Sequence, residues 1–200
     1  GAFQDLDLPA AFDDVSAWAA TVLPASNHAE LATLAVQHAI TERGVSHLVL
    51  PDEVQVQPAP GAAAGGPAGR IADLRIAPPP AALDDAVAQL SAARRPVFVV
   101  GHGAREGIDE VVALAECLGA PVLTTFKAKG LVPDVHPLGA GVLGRSGTPV
   151  ASWLMNEADL LVVWGASFAN YTGIAPYKPI VQVERDPVAI GRFHPVTVGV

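Results

Sequence analysis

The stretch Pro96-Val97-Phe98-Val99-Val100-Gly101-His102-Gly103-Ala104-Arg105-Glu106-Gly107 decides the fold. Its first five residues are apolar without polar alternation, and a turn punctuated by glycine follows. A strand that is wet on one face alternates polar and apolar side chains. One with no alternation is buried on both faces, as in a parallel sheet covered by helices on each side. A helix is expected over 106–118, where Ile108, Val111, Val112, Ala115 and Leu118 recur at three- and four-residue steps and Gly119 supplies the stop. Cys117 in this helix reads as a small core residue rather than a nucleophile. The next strand is expected over 121–125. Upstream, Leu83, Ala86, Val87 and Leu90 make a second helical stripe. Downstream, a helix over 150–157 separates strands over 159–165, 179–184 and 195–200. Strands that alternate with helices give an α/β fold with a doubly wound parallel sheet.

N-terminal to this unit the pattern differs. Asn27 is placed to cap a helix and Glu30, three residues on, to complete a capping box. The helix is expected to run to about Arg43, with Leu31, Leu34, Ala35 and His38 on one face, His38 as a partly buried packing residue, and Gly44 as the left-handed terminator. A strand over 46–50 follows. Between 51 and 80 lie seven of the 18 prolines together with Gly61, Gly65, Gly66 and Gly69. That composition reads as a linker that forms neither a packed strand nor a stable helix. The organisation is therefore 1–50, a linker over 51–80, and a nucleotide-binding-like domain over 81–200.

Twelve basic and 20 acidic side chains give a formal charge of −8, and no run of Lys or Arg occurs. Nucleic acid and anionic membrane surfaces are accordingly not expected partners. The purely apolar stretches 97–100 and 160–164 are far shorter than the roughly 20 residues of a membrane span. No integral membrane segment and no secretory pattern is expected, and a cytoplasmic location is. A single cysteine rules out an internal disulfide and a cysteine metal cluster.

Ligands of an open parallel sheet bind at the carboxyl ends of its strands, which directs the search for a site. At the first such end, Gly101 and Gly103 allow a backbone to approach a phosphate. The third glycine of a dinucleotide fingerprint falls one place late, however, with Glu106 in its slot, and tight strand-to-helix turns use glycine for their own sake. His102 reads as a loop surface residue. The second candidate runs from His136 to Thr148. Gly139, Gly141, Gly144 and Gly147, with Arg145 and Thr148, precede a helix and compose either an anion cradle or a plain glycine loop. The third is Gly165, Ala166, Ser167 and Phe168, small residues beside a flat apolar ring. The fourth is Glu184, Arg185 and Asp186, where a carboxylate at a strand end suits ribose hydroxyls and surface charge is the alternative. No nucleophile elbow, Walker loop, paired metal ligands or thiol beside a histidine occurs, so no catalytic and no metal-binding residue is assigned.

Taken in order, these motifs resemble the thiamine-diphosphate-dependent enzymes of the acetolactate synthase and pyruvate oxidase group, specifically their central domain and the tail of the pyrimidine-binding domain before it. The resemblance is carried by Phe3-Gln4-Asp5 and 15–18, and by Arg43-Gly44-Val45 through Leu50-Pro51-Asp52-Glu53-Val54. It continues through Lys129-Gly130, Pro133, His136-Pro137-Leu138-Gly139, Gly144 and Gly147, then Ala158-Asp159-Leu160 to Gly165, and Asp186-Pro187 with Ile190-Gly191-Arg192. The segments 43–60 and 155–168 look closest to pyruvate oxidase or quinone-linked pyruvate dehydrogenase. Ala17 stands where many members carry lysine, Glu184 replaces the more usual aspartate, and 168–171 lacks the paired aspartates and arginine typical of acetolactate synthases.

The resemblance implies a Rossmann-like central domain that holds FAD, serves structurally, or in one branch binds ADP as a regulatory domain. By position, Gly144, Gly147 and Thr148 would approach the pyrophosphate or ribityl chain, and Gly101, Gly103, Lys129 and Arg145 are further cofactor-binding candidates. Gly165, Ala166 and Phe168 would line the path of the dinucleotide, and Glu184 and Asp186 would face the adenosine half. Thiamine diphosphate and Mg2+ would be bound outside these residues, since neither the activating glutamate nor the Gly-Asp-Gly diphosphate motif is present. A fragment of a longer enzyme is expected, acting on pyruvate or another 2-keto acid and assembling as a homodimer or tetramer. A nucleotide-free scaffold is the alternative from a different class. An NAD-dependent deacylase-like domain, which shares a similar sheet plan, is disfavoured because zinc-binding cysteines are absent.

Overall fold

In the computed structural model, residues 6–58 and 68–200 are described. Phe3, Gln4, Asp5 and the centre of the linker, with Gly61, Gly65 and Gly66, lie outside them. The chain divides into two compact units, Gly1–Arg75 and Ile76–Val200.

The first unit orders α1 (Leu8–Phe12), a 3-10 turn (Asp13–Val15), β1 (Trp18–Thr21), α2 (His28–Thr41), β2 (Ser46–Val49) and α3 (Asp52–Gln55). β1 and β2 run parallel, with Trp18 opposite Ser46 and Thr21 opposite Val49. Asn27 caps α2 as expected, its Oδ1 accepting from the Glu30 amide at 3.2 Å. His38 is half-buried, stacks on Trp18 with ring centroids 5.5 Å apart, and places Nδ1 2.7 Å from Glu42 Oε1. The helix terminator is a correction: Arg43, not Gly44, takes the left-handed conformation, at φ 53°. Gly44 answers a different need, since a Cβ there would lie 2.8 Å from that of Ala17. The glycine lets the connection into β2 pass against the segment entering β1. The short helix α3 within the proline-rich stretch is also additional to the expected linker.

The second unit orders α4 (Pro80–Ala92), β3 (Pro96–Val100), α5 (Ile108–Leu118), β4 (Val122–Thr124), β5 (Gly139–Val142), α6 (Pro149–Glu157), β6 (Leu160–Trp164), β7 (Ile180–Val183) and β8 (Val198–Gly199). All six strands are parallel in the order β5-β4-β3-β6-β7-β8. The chain leaves β3 toward β4 on one side and later returns to β6 on the other, so the order reverses between β3 and β6. Side-chain alternation along β3 separates two apolar layers. Phe98 and Val100 pack with Val111 and Ala115 of α5 and Ala86 of α4, whereas Val97 and Val99 pack with Ala151 and Met155 of α6. The sheet is therefore covered on both faces and doubly wound, as the uninterrupted apolar strands require.

Two details of this unit depart from expectation. Gly139 to Val142, read as part of a glycine loop, form the edge strand β5. Its pairing with β4 shifts register between Val122 and Thr124, and Gly141 takes φ 86°. A Gly-Ala-Gly-Val run has little intrinsic strand preference, and the irregular pairing absorbs its extra residue. Cys117 is exposed rather than in the core. It follows the buried Ala115 by two residues, about 200° around the helix, and so points away from the sheet.

Asp159 ties the layers together at the amino ends of the central strands. Its carboxylate accepts from the amides of Arg94 and Arg95 at 2.8 and 2.9 Å, holding the turn before β3 against the start of β6. Burial pushes its pKa up, but these amide bonds, its own amide and the Arg95 charge outweigh that and hold it below the ordinary carboxylate value. Among the described residues no helix is long and apolar enough to cross a membrane.

Candidate nucleotide site at the strand ends

At the point where the strand order reverses, the connections leaving β3 and β6 touch backbone to backbone. The Gly101 amide donates to Trp164 O at 2.8 Å, and the Gly103 amide donates to Gly165 O at 2.9 Å. A Cβ on Gly101 would lie 2.2 Å from Gly165 O, and one on Gly165 would lie 2.5 Å from Ala104 N. Neither can be accommodated without moving main chain. These glycines are thus explained by loop contact alone, and the Gly103 amide is already used within the protein.

Beside this contact lies a cavity of about 380 Å³. Its walls are Gly103, Ala104, Gly107, Glu110, Val111 and Leu114 from the turn and α5, and Trp164, Gly165, Val183, Glu184 and Arg185 from the ends of β6 and β7. Its volume falls within the range of about 300–1,000 Å³ usual for small-molecule sites. The walls are mostly apolar, with a few polar groups. Glu184 Oε1 accepts from the amides of Arg185 and Asp186 at 2.9 and 3.5 Å, which orients the carboxylate at the strand end. Trp164 Nε1 is buried and has no hydrogen-bond partner. A buried indole N–H without an acceptor is a free-energy cost that the fold carries. At the rim, Glu106 lies 3.4 Å from a nitrogen of Arg105 and 3.4 Å from one of Arg185.

The remaining candidates divide between other places. Lys129 and Thr148 line a second cavity of about 300 Å³, along with Thr124, Asp134, Gly139 and Gly141, where β4 meets β5. Lys129 is paired with Asp134 at 3.1 Å. The Thr148 hydroxyl accepts from the Ala151 amide at 3.3 Å and so caps α6. Gly144 and Arg145 turn toward the connection after β6: the Arg145 amide donates to Tyr171 O at 3.0 Å, and its guanidinium lies 5.9 Å from the Tyr171 ring centre. Gly147 closes that turn by donating to Gly144 O at 2.9 Å. Ala166 and Phe168 are buried in the layer shared with α6, and Phe168 is only 4 % exposed. Asp186 is exposed and accepts from the Val188 amide at 2.9 Å. Gly103, Gly165 and Glu184 therefore share one cavity, while Asp186 lines neither. Sequence reading passed over Trp164, Glu110 and Leu114. The spacing of Glu110 and Leu114 by one helical turn, after a glycine turn, is the signal that points to the cavity wall.

A doubly wound parallel sheet whose order reverses between β3 and β6 is a Rossmann-like architecture. The family of the thiamine pyrophosphate enzyme central domain matches residues 83–200, and the chain belongs to it. YdaP of Bacillus subtilis, whose name describes a thiamine pyrophosphate-containing protein, is 30% identical over 98% of this chain and 34% of its own length. Sulfoacetaldehyde acetyltransferase of Rhodobacter capsulatus is 32% identical, over 100% of this chain and 35% of its own. The large subunit of acetolactate synthase isozyme 1 of Escherichia coli is 33% identical over 70% of this chain and 24% of its own. The chain thus spans about a third or less of the length of these relatives.

Proposed function

We propose that residues 76–200 are the nucleotide-holding centre of a thiamine-diphosphate-dependent enzyme that acts on a 2-keto acid, pyruvate being the first substrate to try. The carrying observation is the cavity at the ends of β3, β6 and β7, where the oriented carboxylate of Glu184 adjoins an apolar wall that includes Trp164. These groups suit a nucleoside: the carboxylate accepts from ribose hydroxyls, and Val111, Leu114, Val183 and Trp164 cover a base. When bound, thiamine diphosphate and its Mg2+, held outside these residues, would supply the decarboxylating chemistry, and FAD in this domain would supply an electron acceptor. The task of this chain is binding, orientation and exclusion of water. The names of the relatives, an acetolactate synthase and an acetyltransferase, support a 2-keto acid or acyl-transfer reaction for the parent. A homodimer or tetramer in the cytoplasm completes the reading.

The absorption spectrum of the full-length protein tests the FAD part. A yellow preparation whose flavin absorbance is bleached by pyruvate is expected, and a colourless, active enzyme rejects it. ADP is the next ligand to titrate. A second reading, a scaffold without nucleotide, is favoured by one observation: the Gly103 amide and the Thr148 hydroxyl, both suited to phosphate, are already engaged inside the protein. Tight binding of either FAD or ADP excludes it.

A further inference from the structure

The rim of the nucleotide cavity carries charge that the reading above leaves unused. Arg185 lines the cavity, and Arg105 lies between two residues that do, Ala104 and Gly107 on either side of the Arg105-Glu106 pair. Both guanidiniums reach Glu106, one at each carboxylate oxygen, and each pair is 3.4 Å long. The side chains are 41 % exposed for Arg105, 38 % for Arg185 and 62 % for Glu106. Long, solvated pairs of this kind are weak and readily exchanged. A phosphate, by contrast, meets a guanidinium through two short parallel bonds of roughly twice the strength of a neutral one. Glu110 and Glu184 line the same cavity as Arg185 and bring negative charge to its wall. A phosphate is therefore disfavoured beside Glu110 and Glu184 and favoured where Arg105 and Arg185 converge.

We propose that Glu106 is a built-in competitor for the phosphate of the ligand, neutralising Arg105 and Arg185 until a nucleoside phosphate takes its place between them. The inference rests on the nucleotide reading of the same cavity and adds to it a specificity device. The nucleoside enters regardless of Glu106, whereas its phosphate must displace that carboxylate. The position of Glu106, in the slot where a dinucleotide fingerprint would carry glycine, makes this a feature of the local sequence. Affinity for phosphorylated ligands is set by the balance between one carboxylate on the protein and one phosphate on the ligand.

Calorimetric titration of the full chain with adenosine, ADP and FAD separates the possibilities, using the wild type, Glu106→Gln and Arg185→Gln. Glu106→Gln is expected to bind ADP roughly tenfold more tightly, because the phosphate no longer competes with a carboxylate, and Arg185→Gln to bind it roughly tenfold more weakly. Adenosine affinity stays within about twofold in Glu106→Gln, since Glu106 does not line the cavity and the uncharged ligand has no phosphate to compete for the guanidiniums. Shifts of equal size for adenosine and ADP, or no shift in either, overturn the competitor role while leaving the nucleotide site standing. Failure of the wild type and of Glu106→Gln to bind adenosine, ADP or FAD overturns both.

Discussion

Glycine at the switch point and glycine at the end of α5 answer opposite demands. Gly101 has an ordinary extended backbone at φ −99°, yet a Cβ would meet Gly165 O at 2.2 Å. Gly119 has open space around it, yet its φ is 61°, closing α5 while the Ala120 amide donates back to Ala115 O at 2.9 Å. One residue is there for room and the other for a dihedral angle. A motif that counts glycines registers both alike, and only the structure tells which of them leaves space for a ligand. At Gly101 and Gly103 the space is filled by the other loop, and the cavity opens beside that contact, toward β7.

The sharpest way to break this contrast is to add one methyl at each site. Gly101→Ala forces main chain apart between β3 and β6 and is expected to destabilise by about 3 kcal/mol. Gly119→Ala has no clash and incurs only the left-handed penalty, about 1 kcal/mol. Denaturant unfolding of the two variants checks the ranking. Equal effects would mean that the contact between the two connections yields without cost.

Much of the fold was legible because the central strands obey a simple rule: 96–100 and 160–164 are apolar at every position, and only burial on both faces accommodates that. The periphery follows weaker signals. β5 contains two glycines and an alanine, and its strand state comes from pairing with β4 rather than from its own preference. β1, Trp18–Thr21, has two alanines in four residues and shows itself only through its register with β2. The site was legible to the same degree. Glu184 at a strand end was marked by position, whereas Trp164 reads as one more apolar strand residue, and the missing partner of its Nε1 is a fact of three-dimensional packing.

A middle-sized effect is expected at the opposite end of the same two strands. Asp159→Ala removes the acceptor for the Arg94 and Arg95 amides, and water reaches the half-buried site, so the loss should be about 1–2 kcal/mol. The pH dependence has a defined sign. The folded carboxyl lies below its ordinary value of 3.8, so its contribution is present above that pH and disappears as the pH falls through the folded value. Acid unfolding curves of wild type and Asp159→Ala should therefore converge below about pH 4. Parallel curves down to the acid limit would show that the carboxylate charge contributes nothing.

The smallest effect is expected at Cys117, and it tests the distinction between a residue's type and its place on a helix. Free cysteine is among the most buried of residue types, which favours the core. The angular position, two residues past Ala115, puts it on the solvent side of α5 instead. Cys117→Ala should change stability by less than about 0.5 kcal/mol, in contrast to Ala115→Val, which adds two methyl groups to a fully buried site and should cost about 1–3 kcal/mol. The thiol should also react with an alkylating reagent in the native protein as fast as in denaturant. Protection that vanishes only on unfolding would show that Cys117 is covered in the native protein and that its place on the helix does not decide its exposure.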